Sequence, residues 1–198
     1  MKKLLLILLC LPFIGFGQTI DNSDFTRKQK LWNPNRKEAA KYQSIYHLIN
    51  KLGKEENRIV TPIKIEALSS DNSGEITTLF YNCNEKEEAG LIIGFFNAEL
   101  VINSTFQESS NFLILNSEQT NELLQAIDNI GDKWDKNNDY GDNSIYFSID
   151  ELTIFMDREK VTMRLFWKNF DSDWSFSSFN RTKKRYEKYL KKKAKGKI

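Results

Sequence analysis

The sequence predicts an α+β domain built on a mainly antiparallel sheet, entered after an N-terminal signal peptide. Three observations carry that expectation. The chain opens on a short basic start and an apolar run. It then mixes period-2 and period-3.6 apolar patterns, in the order helix, strands, helix, strands, helix. That order lacks the strict alternation of parallel βαβ units, and it suits about six to eight strands packed with two to three helices.

MKKLLLILLCLPFIGFGQTI carries Lys2 and Lys3 ahead of an uncharged stretch from Leu4 to Phe16. A spanning helix needs about 20 apolar residues, so the run is too short for an anchor and reads as a leader. Gly15 and Gly17 are the small residues before a cut, which is placed between Gly17 and Gln18. Cys10 leaves with the leader, so Cys83 is the only cysteine of the mature chain and an internal disulfide is excluded. Cys83 reads as a buried, inert thiol.

Residues 18–33 form a polar arm, 34–180 a single α+β domain and 181–198 a basic helix or tail. Asn33 and Pro34 supply cap and first-turn chemistry for a helix running to Leu52, with Tyr42, Ile45, Tyr46, Ile49 and Leu52 as its apolar stripe. Ile63, Ile65 and Ala67 alternate with polar residues, DNSG at Asp71–Gly74 makes a turn, and Glu75 to Cys83 returns as a second strand. LIIGFF (Leu91–Phe96) and FLIL (Phe112–Leu115) are continuous apolar runs, expected at the centre of the sheet, with Glu99 to Phe106 as a separate strand between them. Asn116 or Ser117 can cap a helix carrying Leu123, Leu124, Ile127 and Ile130, with Gln119 three residues after Asn116, and Gly131 is expected to end it. Three alternating segments starting at Ile145, Leu152 and Val161 predict a meander, with Asp157 to Lys160 as a hairpin loop. DSDW at Asp171–Trp174 reads as a turn before a core tryptophan, with a sugar site as the sharper alternative. A basic helix is expected from Thr182 to about Lys193.

Charge is divided unevenly. The chain is formally +2, and removing Lys2 and Lys3 takes it to zero. From Arg181 onward there are ten Lys or Arg and one acid, Glu187, so that segment is +9 and the body from Gln18 to Asn180 is −9. Lys183, Lys184, Arg185, Lys188, Lys191, Lys192 and Lys193 are the candidate partner-binding residues. Their chemistry suits an acidic protein or an anionic envelope surface. Alternatively they lie against the acidic body of their own chain, or form a solvated helix anchored by Tyr186, Tyr189 and Leu190. Export argues against nucleic acid.

DKWDKNNDYGDN, Asp132 to Asn143, invites a calcium reading. A calcium loop started at Asp135 places Asp135, Asn137 and Asp139 at the first three ligand positions. Tyr140 then occupies the glycine position and Tyr146 the position of the closing glutamate, so a plain polar connector is expected. His47 is the only histidine and reads as a surface residue, since neither a second His nor a Cys pair exists to share zinc. No nucleophile elbow, phosphate-binding glycine loop or dinucleotide fingerprint is present, and no cofactor is called for. The reading that follows is an exported, non-enzymatic binding or accessory module of the bacterial cell envelope, periplasmic or secreted. A carboxylate-dependent hydrolase and a peripheral membrane protein held by the basic helix are the alternatives.

Overall fold

Sequence order and spatial order coincide in both sheets of this chain. The structure, a computed structural model, describes residues 35–52, 63–84, 86–101, 105–137, 144–156 and 162–196. Within them lie helix α1 (Arg36–Leu52), strands β1 (Ile63–Ser70), β2 (Ile76–Cys83), β3 (Glu88–Val101) and β4 (Thr105–Asn116), and helix α2 (Ser117–Asn137). Strands β5 (Ile145–Ile149), β6 (Leu152–Met156), β7 (Thr162–Trp167) and β8 (Phe170–Ser175) and helix α3 (Phe176–Ala194) follow. The α+β expectation holds, but the strands form two antiparallel sheets of four, β1-β2-β3-β4 and β5-β6-β7-β8, rather than one.

The first sheet is covered on both faces, which explains its continuous apolar runs. Ile76 and Phe80 of β2 and Leu91, Ile93 and Phe95 of β3 enter the main core with α2, α3 and the second sheet. Their neighbours Leu79, Tyr81, Ile92 and Phe96 enter a smaller core beneath α1, with Ala40 and Leu48. LIIGFF thus lies in an inner strand, as expected. FLIL lies in β4, which is an edge strand, contrary to its expected central place. Glu99 to Phe106 is not a separate strand: its ends belong to β3 and β4, which pair from Gly90↔Asn116 to Val101↔Thr105 as one long hairpin. Gly90 sits at that first pair because a β-carbon there would collide with the Leu115 carbonyl oxygen.

A bulge between Ala67 and Ser69 orients β1 toward α3. It sends Leu68 into the main core and turns Ser69 the same way, so that the hydroxyls of Ser69 and Ser178 meet at 2.8 Å. Thr78 and Thr182 form a second buried hydroxyl pair at 2.7 Å, fastening α3 to β2. The turn after β1 uses Gly74 at φ 76, a conformation glycine adopts without steric cost.

Three boundaries differ from expectation. The helix after β4 does have the capping box, with Gln119 N donating to Asn116 Oδ1 at 2.9 Å and Asn116 N to Gln119 Oε1 at 3.0 Å. It runs through Gly131 to Asn137, because a lone glycine weakens a helix without ending it when its φ stays helical. DSDW is strand β8, paired residue by residue with β7, and not a turn; its Trp174 is fully buried, as expected. Helix α3 starts at Phe176, ahead of the expected Thr182, because Ser175 caps it by accepting from Ser178 N at 3.2 Å. It is continuous across Asn180 and Arg181, so the basic segment is the second half of a helix whose Phe179, Thr182 and Tyr186 are buried. The leader with its Gly17–Gln18 cut, the polar arm and the loop at 157–160 lie outside the described residues.

Candidate functional site

Helix α3 has two faces with different chemistry, set by residue spacing. Ser178, Phe179, Thr182 and Tyr186 are buried on its inner face, with Tyr189 and Leu190 packed at the margin of the main core. Phe80 lies against both tyrosines, 5.9 Å from Tyr186 and stacked 5.2 Å from Tyr189. Burial pushes the Tyr186 phenol up from its ordinary pKa, keeping it neutral.

The seven basic candidates divide between the flanks and the crest of this helix. On the flanks, Lys183 pairs with Asp128 of α2, and Arg185 donates to the Leu68 carbonyl of β1. Lys193 donates to the Glu87 carbonyl at 3.3 Å. These three tie α3 to its own body, in part as the charge division suggested. Lys184, Lys188, Lys191 and Lys192 line a shallow groove of about 420 Å³ on the outer side, with Glu187 and Lys195. Lys192 also reaches over the Tyr189 ring, at 5.1 Å. Lys195 escapes the sequence reading, although its spacing from Lys184 is close to three whole helical turns. From Lys184 to Lys195 the row extends about 16 Å along the axis.

Apart from Glu187, which is spaced i,i+3 from Lys184 and i,i+4 from Lys191, the crest sets like charge against like. Lys184 and Lys188, Lys188 and Lys192, and Lys191 and Lys195 are i,i+4 pairs of like charge, each unfavourable by ~0.2–0.5 kcal/mol. Among the described residues none of these five lysines has an acidic group within ion-pair distance. The last-turn lysines complement the helix dipole. Lys184 and Lys188, further from the C-terminus, receive little of that compensation.

Helix α1 holds a second exposed surface, and here the structure inverts the expected orientation. The face it buries consists of Arg36, Ala40, Ser44 and Leu48. Of the five residues of the expected stripe, Tyr42, Ile45, Tyr46 and Ile49 are 74%, 36%, 70% and 41% exposed, and Leu52 alone packs against the smaller core. The small side chains of Ala40 and Ser44 let the helix lie close to the sheet, and Arg36 is buried with its guanidinium 4.5 Å above the Phe96 ring. His47 lies between the two faces, half-buried, 5.1 Å from the Phe112 ring. Burial, with a smaller effect from Lys168, lowers its pKa.

The other candidates are placed as follows. Asp135 and Asn137 lie in the last turns of α2, and Asp139 lies outside the described residues. Among the described residues no three His, Cys, Asp or Glu side chains gather as a metal site. Cys83 is buried and free. Several carboxylates serve structural contacts. Asp71 accepts from Ser175 N at 2.8 Å and Ser175 Oγ at 2.7 Å, and Glu75 accepts from Asp173 N at 2.9 Å. Glu88 accepts from the Tyr81 hydroxyl at 2.6 Å. Asp171 forks onto Arg164 at 2.5 and 2.6 Å, which holds that guanidinium charged.

Among the described residues no helix is long and apolar enough to cross a membrane. Comparison with known proteins finds no matching family model, no matching curated protein and no matching solved structure.

Proposed function

We propose that this chain is an exported, non-enzymatic binding module of the cell envelope that docks on an anionic lipid surface through the outer face of α3. The observation that carries this reading is the lysine crest. Five lysines share one outward face without an ionic partner among the described residues, while the opposite face of the same helix builds the core. An anionic surface would relieve the i,i+4 repulsion along the row and add about 1 kcal/mol for each lysine near it. The leader-like start supports an envelope location. The structural contacts made by Asp71, Glu75, Glu88 and Asp171 favour a binding role over carboxylate chemistry.

Vesicle co-sedimentation tests the proposal. Binding to vesicles with anionic headgroups, absent with zwitterionic ones, is expected. Replacing Lys184, Lys188 and Lys191 by Ala removes about 3 kcal/mol, a hundredfold or more in affinity. These positions are exposed, so the fold is kept; deleting the helix would remove Phe179, Thr182 and Tyr186 from the core as well. Equal binding to both vesicle types, or binding indifferent to the triple substitution, would rule the proposal out.

A further inference from the structure

We infer that the lysine groove of α3 is a headgroup site, and that it selects a phosphorylated sugar carried on a lipid from among anionic lipids. This rests on the docking reading above and narrows its ligand. Lys184, Glu187, Lys188, Lys191, Lys192 and Lys195 bound one common void of about 420 Å³. Lysines splayed apart along a helix meet separate headgroups, whereas side chains around one void meet the same ligand. The void falls within the ~300–1,000 Å³ of small-molecule sites. Every described residue that lines it is charged, so it suits a polar headgroup and leaves the acyl chains in the bilayer.

Charge sets the first part of the ligand. Five lysines and one glutamate give the groove a charge of +4. A phosphomonoester carries about −1.5 to −2 at pH 7 and offers three acceptor oxygens. A phosphodiester carries a single charge and offers fewer free oxygens. Each ammonium is a compact charge with three donors, so several of them can share one phosphomonoester. The doubly charged group is therefore the better match to lysines that face one void.

Glu187 sets the second part. Its carboxylate makes no ion pair or hydrogen bond among the described residues, although it lines the groove beside the lysines. For attraction to anions alone it only subtracts charge. By helical geometry it lies about 60° around the axis from Lys184, at one margin of the lysine row and midway along it. An ionised carboxylate accepts hydrogen bonds and donates none. A ligand that sets phosphate oxygens on the lysines and hydroxyls beside them satisfies both kinds of group. An ammonium could also reach Glu187, but the surrounding lysines repel it, and a neutral hydroxyl meets no such repulsion. A sugar bearing a phosphomonoester has the required pairing.

Co-sedimentation with three kinds of vesicle, adjusted to equal zeta potential, tests this. They carry phosphatidylinositol 4-phosphate (phosphomonoester and ring hydroxyls), phosphatidic acid (phosphomonoester alone) or phosphatidylserine. Binding is expected to be about tenfold tighter to the first than to the third, with phosphatidic acid between them. Glu187→Ala separates the two roles of the carboxylate by sign. It strengthens binding to phosphatidylserine by about fivefold, because one repelling charge is gone. It weakens binding to phosphatidylinositol 4-phosphate, because the hydroxyl acceptor is gone. Glu187→Gln retains an acceptor and keeps part of the preference. Glu187 is exposed, so both variants are expected to melt with the unsubstituted protein. Equal binding to all three vesicles, or a Glu187→Ala variant that binds all three more tightly, overturns this inference and leaves the docking reading standing. Binding to none of them overturns both. Soluble glucose 1-phosphate held as tightly as the vesicles overturns a lipid as the source of the headgroup.

Discussion

At the scale of single residues, His47 shows how one long-range contact becomes measurable. Its ring packs on Phe112, a residue of β4 far away in the chain. Burial, then Lys168, sets the His47 pKa below its ordinary value, so the unfolded chain binds the proton more readily. Stability is unaffected by this group above the unfolded pKa near 6.5, and falls as pH drops below it. Replacing His47 by Gln should flatten the fall in melting temperature between about pH 7 and pH 5. An unchanged pH slope would mean that the imidazole does not feel its surroundings. The sequence points to a surface residue here, because no local pattern encodes packing on a distant strand. Local geometry is legible by contrast. Asn116 and Gln119 announce their capping box by spacing alone. Trp174 is recognisable as a core residue because a large aromatic contributes so much apolar area on burial.

At the scale of elements, periodicity locates segments but does not orient them. Period-2 alternation marks β1, β5, β6 and β7, the Thr, Phe and Tyr content after the DNSG turn marks β2, and the apolar runs mark β3 and β4. The α1 stripe has the expected spacing and the opposite orientation. Apolar residues define a helix face, and only the partner surface decides whether that face is covered. Here Ala40, Ser44 and Leu48 fit the sheet, and the bulkier face is left out. Strand β8 is hidden in the sequence because Asp171, Ser172 and Asp173 are turn formers. Pairing with β7, the Arg164–Asp171 contacts and the Asp173 N bond to Glu75 override that preference. Gly131 resembles a stop because glycine is the usual helix C-terminal residue. In the structure it is an interior helical residue, and a β-carbon built there meets nothing within 4 Å. Gly131→Ala should therefore stabilise the protein by about 0.5–1 kcal/mol in a denaturant titration. A loss of stability would place the helix end at Gly131 after all.

At the scale of the whole molecule, two features organise the fold: the junction between the sheets and the double role of α3. The junction combines an apolar part, where Phe95 meets Trp167 and Phe170 at 5.1 and 5.8 Å, with a polar clasp at Asp71, whose carboxylate receives both the amide and the hydroxyl of Ser175. Hydrogen bonds to a charged acceptor contribute about 1.5–3 kcal/mol each, so Asp71→Ala should cost on the order of 3 kcal/mol. A cost under about 0.5 kcal/mol, the size of an ordinary surface substitution, would show that the sheets hold together without it. The charge division between an acidic body and a basic C-terminal segment is visible in composition alone. The splitting of that segment is not. Flank lysines and an arginine turn to the body, and crest lysines turn outward, because a continuous helix begins at Phe176 and fixes every later angle.

The central claim is that α3 uses one face for folding and the other for docking. Its most direct test is binding to anionic vesicles at low and high salt, for the unsubstituted protein and for the Lys184, Lys188 and Lys191 triple-alanine variant, with thermal melting in parallel. Binding is expected to weaken with salt and to be lost in the variant, with the melting temperature unchanged. Salt-insensitive binding retained by the variant, or a variant that loses binding only because it unfolds, would contradict it.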